Sequence, residues 1–169
     1  MKPLSECTGR ELLWTSPSAF SREWELHDRD ELCARLSCGW GFHAGAEGET
    51  EEGRWRFRRR GFLRGGVEMF SAGAETPLAS YRSHWRGGTL RFADGRELKW
   101  THESLWKGIW RFDGPDGTPW LHLRRRARFI GARAELMLDP GEARAPEGPL
   151  LALLSWYLYL SMRRRGHAH

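Results

Sequence analysis

The sequence has few cysteines and no cysteine spacing that would organise a metal site. Its three cysteines, Cys7, Cys33 and Cys38, are an odd number, and none forms the paired CxxC pattern of a structural zinc site. Small secreted domains held by disulfides carry cysteines in even numbers. We therefore expect free thiols in a reducing compartment, no bound metal, and Cys7 in a mobile terminus.

Motifs of targeting and catalysis are also missing. The first residues, Met1 to Cys7, contain no apolar run of the kind that forms a secretory signal, so we expect a cytoplasmic protein. No HExxH motif, nucleophile elbow, phosphate-binding loop or dinucleotide glycine fingerprint occurs. These absences predict no catalytic residues, no cofactor and no enzymatic activity. An enzyme stays open as an alternative because residues distant in sequence can converge in space.

Lysine is scarce and arginine is abundant. Of the 27 basic residues, only Lys2, Lys99 and Lys107 are lysines. The guanidinium group suits bidentate contact with carboxylate or phosphate, so the bias permits an anionic partner, although codon usage explains the same composition. The net charge of +5 is modest and indicates no specific nucleic acid.

Most of the chain shows the alternation of apolar and polar residues that is typical of β-strands. The pattern begins near residue 22 with Trp24 and Leu26, and it is clearest at 53–62, where Trp55 and Phe57 alternate with arginines. A tight hairpin is predicted at Asp94-Gly95. The segment 43–50 consists of small residues, so we expect it to pass close to another element. The last strand is predicted to run from Ile130 to Leu138, after which a linker leads to Pro149. In all, ten to twelve short strands are predicted.

One helix is predicted, over residues 149–165. Its apolar residues, 150–162, cover most of the helix circumference and end at three arginines. About thirteen residues span roughly 20 Å, which is short of the roughly 30 Å hydrocarbon core of a bilayer. For a helix that is apolar nearly all round, this short length favours burial in protein over a membrane span. We predict a single mainly-β domain, residues 1–169, in which a closed antiparallel barrel of about twelve strands surrounds one buried C-terminal helix.

Three segments resemble the tubby-like superfamily, which includes tubby C-terminal domains, LURP-one-related proteins and phospholipid scramblases. They are Ser18-Ala-Phe-Ser-Arg-Glu-Trp-Glu-Leu, Gly53-Arg-Trp-Arg-Phe-Arg-Arg-Arg-Gly-Phe and the C-terminal Leu-Leu-Ala-Leu-Leu-Ser-Trp-Tyr-Leu. The resemblance implies a twelve-stranded barrel around a central helix. For function it implies a non-catalytic binding or scaffold domain, or alternatively a scramblase-like protein whose helix engages a membrane.

Arginine clusters are the candidate ligand-binding residues. Arg54, Arg56 and Arg58 share one strand face, and Arg59, Arg60 and Arg64 are expected in the turn beyond. His122, Arg124 and Arg126 share another face, which Arg128 follows. Such clusters suit an anionic lipid headgroup, another phosphorylated ligand or a membrane surface, which would make the protein peripheral to the membrane. The competing interpretation is that these arginines lie on the solvent-exposed outer face of the barrel, where they pair with glutamates such as Glu49 and Glu68. No protein partner is predicted.

The ten tryptophans are expected to serve mainly as core. Trp24, Trp55, Trp100 and Trp110 fall on the apolar side of their strands. Trp40, in a loop with Phe42, is expected to pack down on the barrel as a plug.

Overall fold

The computed structural model describes residues 1–7, 9–18, 20–40, 44–61, 65–104, 106–126, 133–140 and 146–166. A short 3-10 helix, Leu4–Glu6, precedes twelve strands and one α-helix. The strands are β1 (Leu12–Thr15), β2 (Glu23–Asp28), β3 (Glu31–Cys38), β4 (Ala46–Thr50), β5 (Gly53–Arg60), β6 (Gly66–Ser71), β7 (Ala79–His84), β8 (Gly87–Phe92), β9 (Glu97–Ser104), β10 (Ile109–Asp113), β11 (Pro119–Arg125) and β12 (Ala134–Leu138), and the helix is α1 (Gly148–Gly166).

The strands form a closed antiparallel barrel, as predicted, and successive strands of the chain pair with one another. Closure depends on β1, which pairs with β2 on one side and with β12 on the other. The sequence predicted no strand before residue 22, because four residues are too few to display a period of two. By pairing with both ends of the sheet, this strand removes the two open edges.

Side chains alternate across the barrel wall as expected for β5. Phe57 is buried and Trp55 half-buried, whereas Arg54, Arg56 and Arg58 are exposed. The prediction that Arg59 and Arg60 lie in a turn was wrong, since β5 continues through both of them. The predicted plug residue Phe42, the start of the last strand at Ile130 and Ala132, and Arg64 and Arg128 lie outside the described residues.

Helix α1 fills the barrel. Every residue from 150 to 160 is buried, so the prediction of a central helix is confirmed. Its Trp156 ring stacks on Trp14 of β1 with centroids 5.6 Å apart, and the edge of Trp24 meets it at 5.2 Å. The small-residue strand β4 passes close to the helix, as expected, because a Cβ at Gly48 would lie 2.8 Å from Leu153 Cδ1.

The N-terminal segment is anchored to the barrel. Lys2 Nζ donates a hydrogen bond of 2.6 Å to Asp28, and an Arg10 guanidinium nitrogen lies 2.9 Å from the same carboxylate oxygen. Cys7 is fully buried, with its Sγ 3.6 Å from that of Cys33, so the expectation of a mobile terminus there was wrong. The backbone tie from Lys2 N to Leu32 O explains why the segment is ordered. All three thiols are free, as predicted.

The barrel has two distinct ends because successive connections of an up-and-down barrel alternate between them. The connections 16–22, 39–45, 61–65, 85–86, 105–108 and 126–133 share one end. Helix α1 starts at the opposite end, where Arg96 of the β8–β9 turn pairs with Glu147. The last turn of α1 lies at the end formed by these six connections, where Arg165 approaches Gly65. We call the described residues of those six connections, together with 163–166 of α1, the exit rim. The opposite end is the entry end.

Candidate functional site

The arginines of β5 are engaged by neighbouring strands. Arg54 Nε lies 3.2 Å from Glu49, and Glu68, which is almost fully buried, lies 3.4 Å from Arg58 and 2.7 Å from Arg60. These pairs satisfy much of the charge that the sequence offered to an anionic ligand.

The same strand face also covers a buried aromatic ring. Phe70 lies on the outside of the barrel and is only 1% exposed. The guanidinium carbons of Arg56 and Arg58 each stand 4.9 Å from its ring centroid. Their aliphatic stems and cation–π contacts therefore stabilise the wall of the barrel.

A groove beside these arginines is acidic as well as basic. It has a volume of about 560 Å³, and its charged lining residues are Glu23, Glu25, Arg35, Glu47, Glu49, Arg54 and Arg56. Carboxylates outnumber guanidinium groups there. An anion would gain little in this groove, because like charges in the lining oppose the attraction of the arginines.

The two predicted arginine clusters do not converge. Strands β5 and β11 lie six positions apart in a ring of twelve, on opposite sides of the barrel. Arg126 pairs with Glu135 of β12, and Arg124 is exposed on the outer face. Arg59 differs from the others, because its half-buried side chain lines a cavity inside the exit rim.

The exit rim carries all the large aromatic side chains that are exposed in the described part of the chain. Phe20 is 99% exposed, Trp40 83%, Trp85 94% and Trp106 96%. They come from four different connections, β1–β2, β3–β4, β7–β8 and β9–β10, and so are distributed around the circumference of one end. Apart from these, the exposed large apolar side chains described are methionines, Met1 and Met137. Aromatic residues that face water singly are ordinary, but four of them at one end make that end a candidate site.

Charge is divided between the two ends of the barrel. Among its described residues, the exit rim contains basic residues and no acidic ones, namely Arg22, Arg86, Lys107, Arg126, Arg133, Arg163, Arg164 and Arg165. The connections of the entry end carry mostly carboxylates, namely Asp30, Glu51, Glu52, Glu75, Asp94, Asp116, Asp139 and Glu147, with Arg29 and Arg96 beside them. The molecule is therefore an electrostatic dipole whose positive end is also the aromatic end.

Local structure explains how the rim presents these groups. The expectation that Trp40 packs down as a plug was wrong, because its ring projects outward and the Arg22 guanidinium stands 3.0 Å from its centroid. That guanidinium also donates a hydrogen bond of 2.9 Å to Gly39 O, which holds the ring and the cation together. The last turn of α1 concentrates three arginines where the helix dipole is negative, so their charge stabilises the helix end.

A cavity of about 690 Å³ opens inside the exit rim, between the last turns of α1 and the wall formed by β5 to β10. Its apolar lining includes Val67, Tyr81, Trp110, Leu158 and Met162. Its cationic residues are Arg59, Arg86 and Arg165, and none of its described lining residues is acidic.

Two histidines, His84 and His102, are among the residues that line this cavity. His102 lines it and stacks on Trp110 with ring centroids 3.9 Å apart. Burial lowers the pKa of His102, and the nearby Arg125 lowers it further, so the ring is neutral at pH 7. On the outer wall, His122 approaches Glu103 at 3.6 Å and Asp139 at 3.9 Å, distances beyond the hydrogen-bonding reach that proton transfer needs.

Sequence reasoning missed the exit rim, although a signal for it exists. In an up-and-down barrel every second connection lies at the same end, so alternate turns of the predicted strand series can be grouped. Grouping them places Phe20, Trp40, Trp85 and Trp106 together.

Comparison of the chain with protein-family models, with curated proteins and with solved structures finds no match. No helix among the described residues is both long enough and apolar enough to cross a membrane.

Proposed function

We propose that the protein is a non-catalytic binding domain that docks end-on, through its exit rim, on membranes containing anionic phospholipids. The observation that carries the proposal is the coincidence of exposed aromatic rings and basic residues at one end of a closed barrel. Tryptophan prefers the interface between lipid headgroups and acyl chains, where one side of the ring is apolar and the other is wet. Each arginine or lysine near an anionic surface adds about 1 kcal/mol of attraction.

In this proposal the membrane contacts the exit rim and not the arginine-rich strand faces that the sequence suggested. The arginines of β5 cover Phe70 and pair with Glu49 and Glu68, so they offer less charge to a membrane. The acidic entry end would point away from an anionic surface, and the dipole would orient the molecule before contact. A tubby-like scaffold is part of the proposal, because a twelve-stranded barrel around a helix is the architecture that the resemblance implies.

The scramblase-like alternative requires α1 to leave the barrel. Burial of every residue from 150 to 160 favours docking of the closed barrel instead, because release of the helix would expose its leucines and empty the core.

Vesicle co-sedimentation with a matched pair of charge reversals tests the proposal. Arg164→Glu alters the rim and Arg54→Glu alters the strand face, with the same change in net charge. We expect the rim variant to bind phosphatidylserine vesicles roughly tenfold or more weakly, because about 1 kcal/mol of attraction per charge is lost and repulsion is added. The strand-face variant should bind almost like the wild type.

A second pair isolates the aromatic contribution. The double variant Trp40→Ser, Trp106→Ser should lose binding to the same vesicles, whereas Met137→Ser, which removes an exposed apolar side chain from the barrel wall, should retain it. Stronger loss in Arg54→Glu than in Arg164→Glu would contradict end-on docking. So would undiminished binding of the tryptophan variant.

A further inference from the structure

We infer that the exit-rim cavity binds a single-chain anionic amphiphile, with the alkyl chain lying along α1 and the anionic head held by arginines at the mouth. This is a site for one ligand molecule inside the barrel, and it goes beyond docking of the rim on a membrane. It does not depend on that docking, since a monomeric amphiphile in water would fill it equally well.

The cavity has the polarity gradient that such a ligand needs. Arg86 lies in the β7–β8 turn and Arg165 in the last turn of α1, so both stand at the mouth. Leu158 lies almost two helical turns below Arg165, and Tyr81 lies three residues inside the end of β7. A chain that enters past these two arginines therefore meets the side chains of Tyr81 and Leu158.

Size and charge fit the same class of ligand. A volume of about 690 Å³ lies within the range of roughly 300–1,000 Å³ that is usual for small-molecule sites. Arg59 of β5 also lines the cavity and adds a third cation to the lining. Because the described lining holds no carboxylate, an anionic head would meet attraction without opposing charge.

Two contacts hold residues of the cavity lining in position. Near the exit, Gly65 approaches Arg165 so closely that a Cβ would lie 2.7 Å from a guanidinium nitrogen. Tyr81 is tied to the wall, where its hydroxyl donates a hydrogen bond of 3.1 Å to Gly87 O. These contacts hold the mouth and the wall in place, so the cavity is largely formed before any ligand arrives.

The shared chemistry is an alkyl chain with a terminal anion, which a free fatty acid and a lysophospholipid both provide. Titration calorimetry of the full chain with dodecanoate and with lauroyl lysophosphatidate, each below its aggregation concentration and without vesicles, separates the two sources. We expect one molecule to bind per chain, and the tighter of the two probes identifies the natural head. Dodecanol, which has the chain without the charge, should bind at least tenfold more weakly. Failure of both anionic probes to bind, or equal binding of dodecanol, would overturn the inference.

Two matched pairs of variants place the ligand. Met162→Trp fills the cavity and should abolish binding, whereas Met137→Trp adds the same ring to the barrel wall and should change nothing. Arg165→Ala should weaken binding roughly tenfold, whereas Arg54→Ala, on the outer face of β5, should alter it less than twofold. Undiminished binding by Met162→Trp would contradict the site.

Methionine methyl NMR of the wild-type protein gives a readout that needs no substitution. The anionic probe should shift the Met162 methyl signal and leave that of Met137 in place; the reverse would overturn the inference. Because these measurements use no membrane, their failure leaves end-on docking standing. Failure of the vesicle experiments likewise leaves the cavity site standing.

Discussion

Gly48 of β4 and Leu153 of α1 lie so close that a Cβ at position 48 would stand 2.8 Å from Leu153 Cδ1 and 2.9 Å from Cδ2. Leu153 is fully buried, so its side chain has little room to move away. The pair shows how the barrel wall was shaped to admit its helix: glycine at one position on the inner face makes room for leucine on the core element. The small residue at position 48 and the large one at position 153 are therefore matched in size.

The first prediction follows from this contact. Gly48→Ala should destabilise the protein by about 1–3 kcal/mol, because overpacking forces Leu153 out of its preferred rotamer. Gly66→Ala is the control, since a Cβ there would meet its nearest atom at 3.5 Å, an ordinary contact. Chemical denaturation of both variants measures the difference. Adding Leu153→Ala should make Gly48→Ala much less costly in a double-mutant cycle, and strict additivity would contradict the contact.

The second prediction concerns the central helix. Leu154→Asp should unfold the protein, because a carboxylate in the apolar interior loses its hydration and finds no partner, at a cost above about 4 kcal/mol against a total stability of about 5–15 kcal/mol. Met137→Asp, on the outer face of β12, should melt almost like the wild type. Truncation to residues 1–148 should likewise abolish cooperative melting in circular dichroism. A folded 1–148 fragment would refute the role assigned to α1.

The third prediction uses the N-terminal anchor. The hydrogen bond from Lys2 holds the pKa of Asp28 below its ordinary value of 3.8, and Arg10 lowers it too, while burial opposes them. A carboxyl group whose pKa is depressed by folding stabilises the protein above its unfolded pKa. That contribution disappears as the pH falls through its folded pKa. Asp28→Asn should therefore cost about 1–3 kcal/mol at pH 7.

The pH dependence provides the check on this anchor. Denaturation free energies of wild type and Asp28→Asn should converge as the pH is lowered through the acidic range in which Asp28 takes up its proton. Asp30→Asn, in the exposed turn that follows, should track the wild type at every pH. A constant difference between wild type and Asp28→Asn down to the lowest pH at which both fold would contradict the linkage.

Much of the fold was predictable from the sequence because its signals are local. Trp55 and Phe57 alternate with arginines, Asp94-Gly95 demands a tight turn, and the helix is apolar on all sides. The closing strand escaped prediction because β1 has four residues and its partner β12 is distant in the chain. Arg59 and Arg60 were assigned to a turn because consecutive charged residues resemble one, whereas cross-strand pairing with β6 keeps both in the strand.

The candidate site was harder to predict than the fold because it is not local. Its residues come from six connections and the last helical turn, and they meet only when the barrel closes. Trp40 illustrates the difficulty. A large aromatic residue in a glycine-rich loop suggests burial, yet this ring lies outside the barrel under the Arg22 guanidinium. The β5 arginines were predicted to bind a ligand, but they pair with Glu49 and Glu68. These partners stand on neighbouring strands, so the pairs form only in the folded barrel.

The orientation of the protein on a membrane can be measured with an environment-sensitive fluorophore attached to single introduced cysteines. The native thiols should not interfere, because they are buried and burial raises the pKa of Cys7 to about 12. Labels replace Phe20 and Trp106 on the exit rim, Arg54 on the strand face and Glu75 at the entry end. On vesicles rich in phosphatidylserine, end-on docking predicts a blue shift and enhanced emission for the labels at 20 and 106, with those at 54 and 75 unchanged. A shift confined to position 54, or equal shifts at all four positions, would contradict docking through the exit rim.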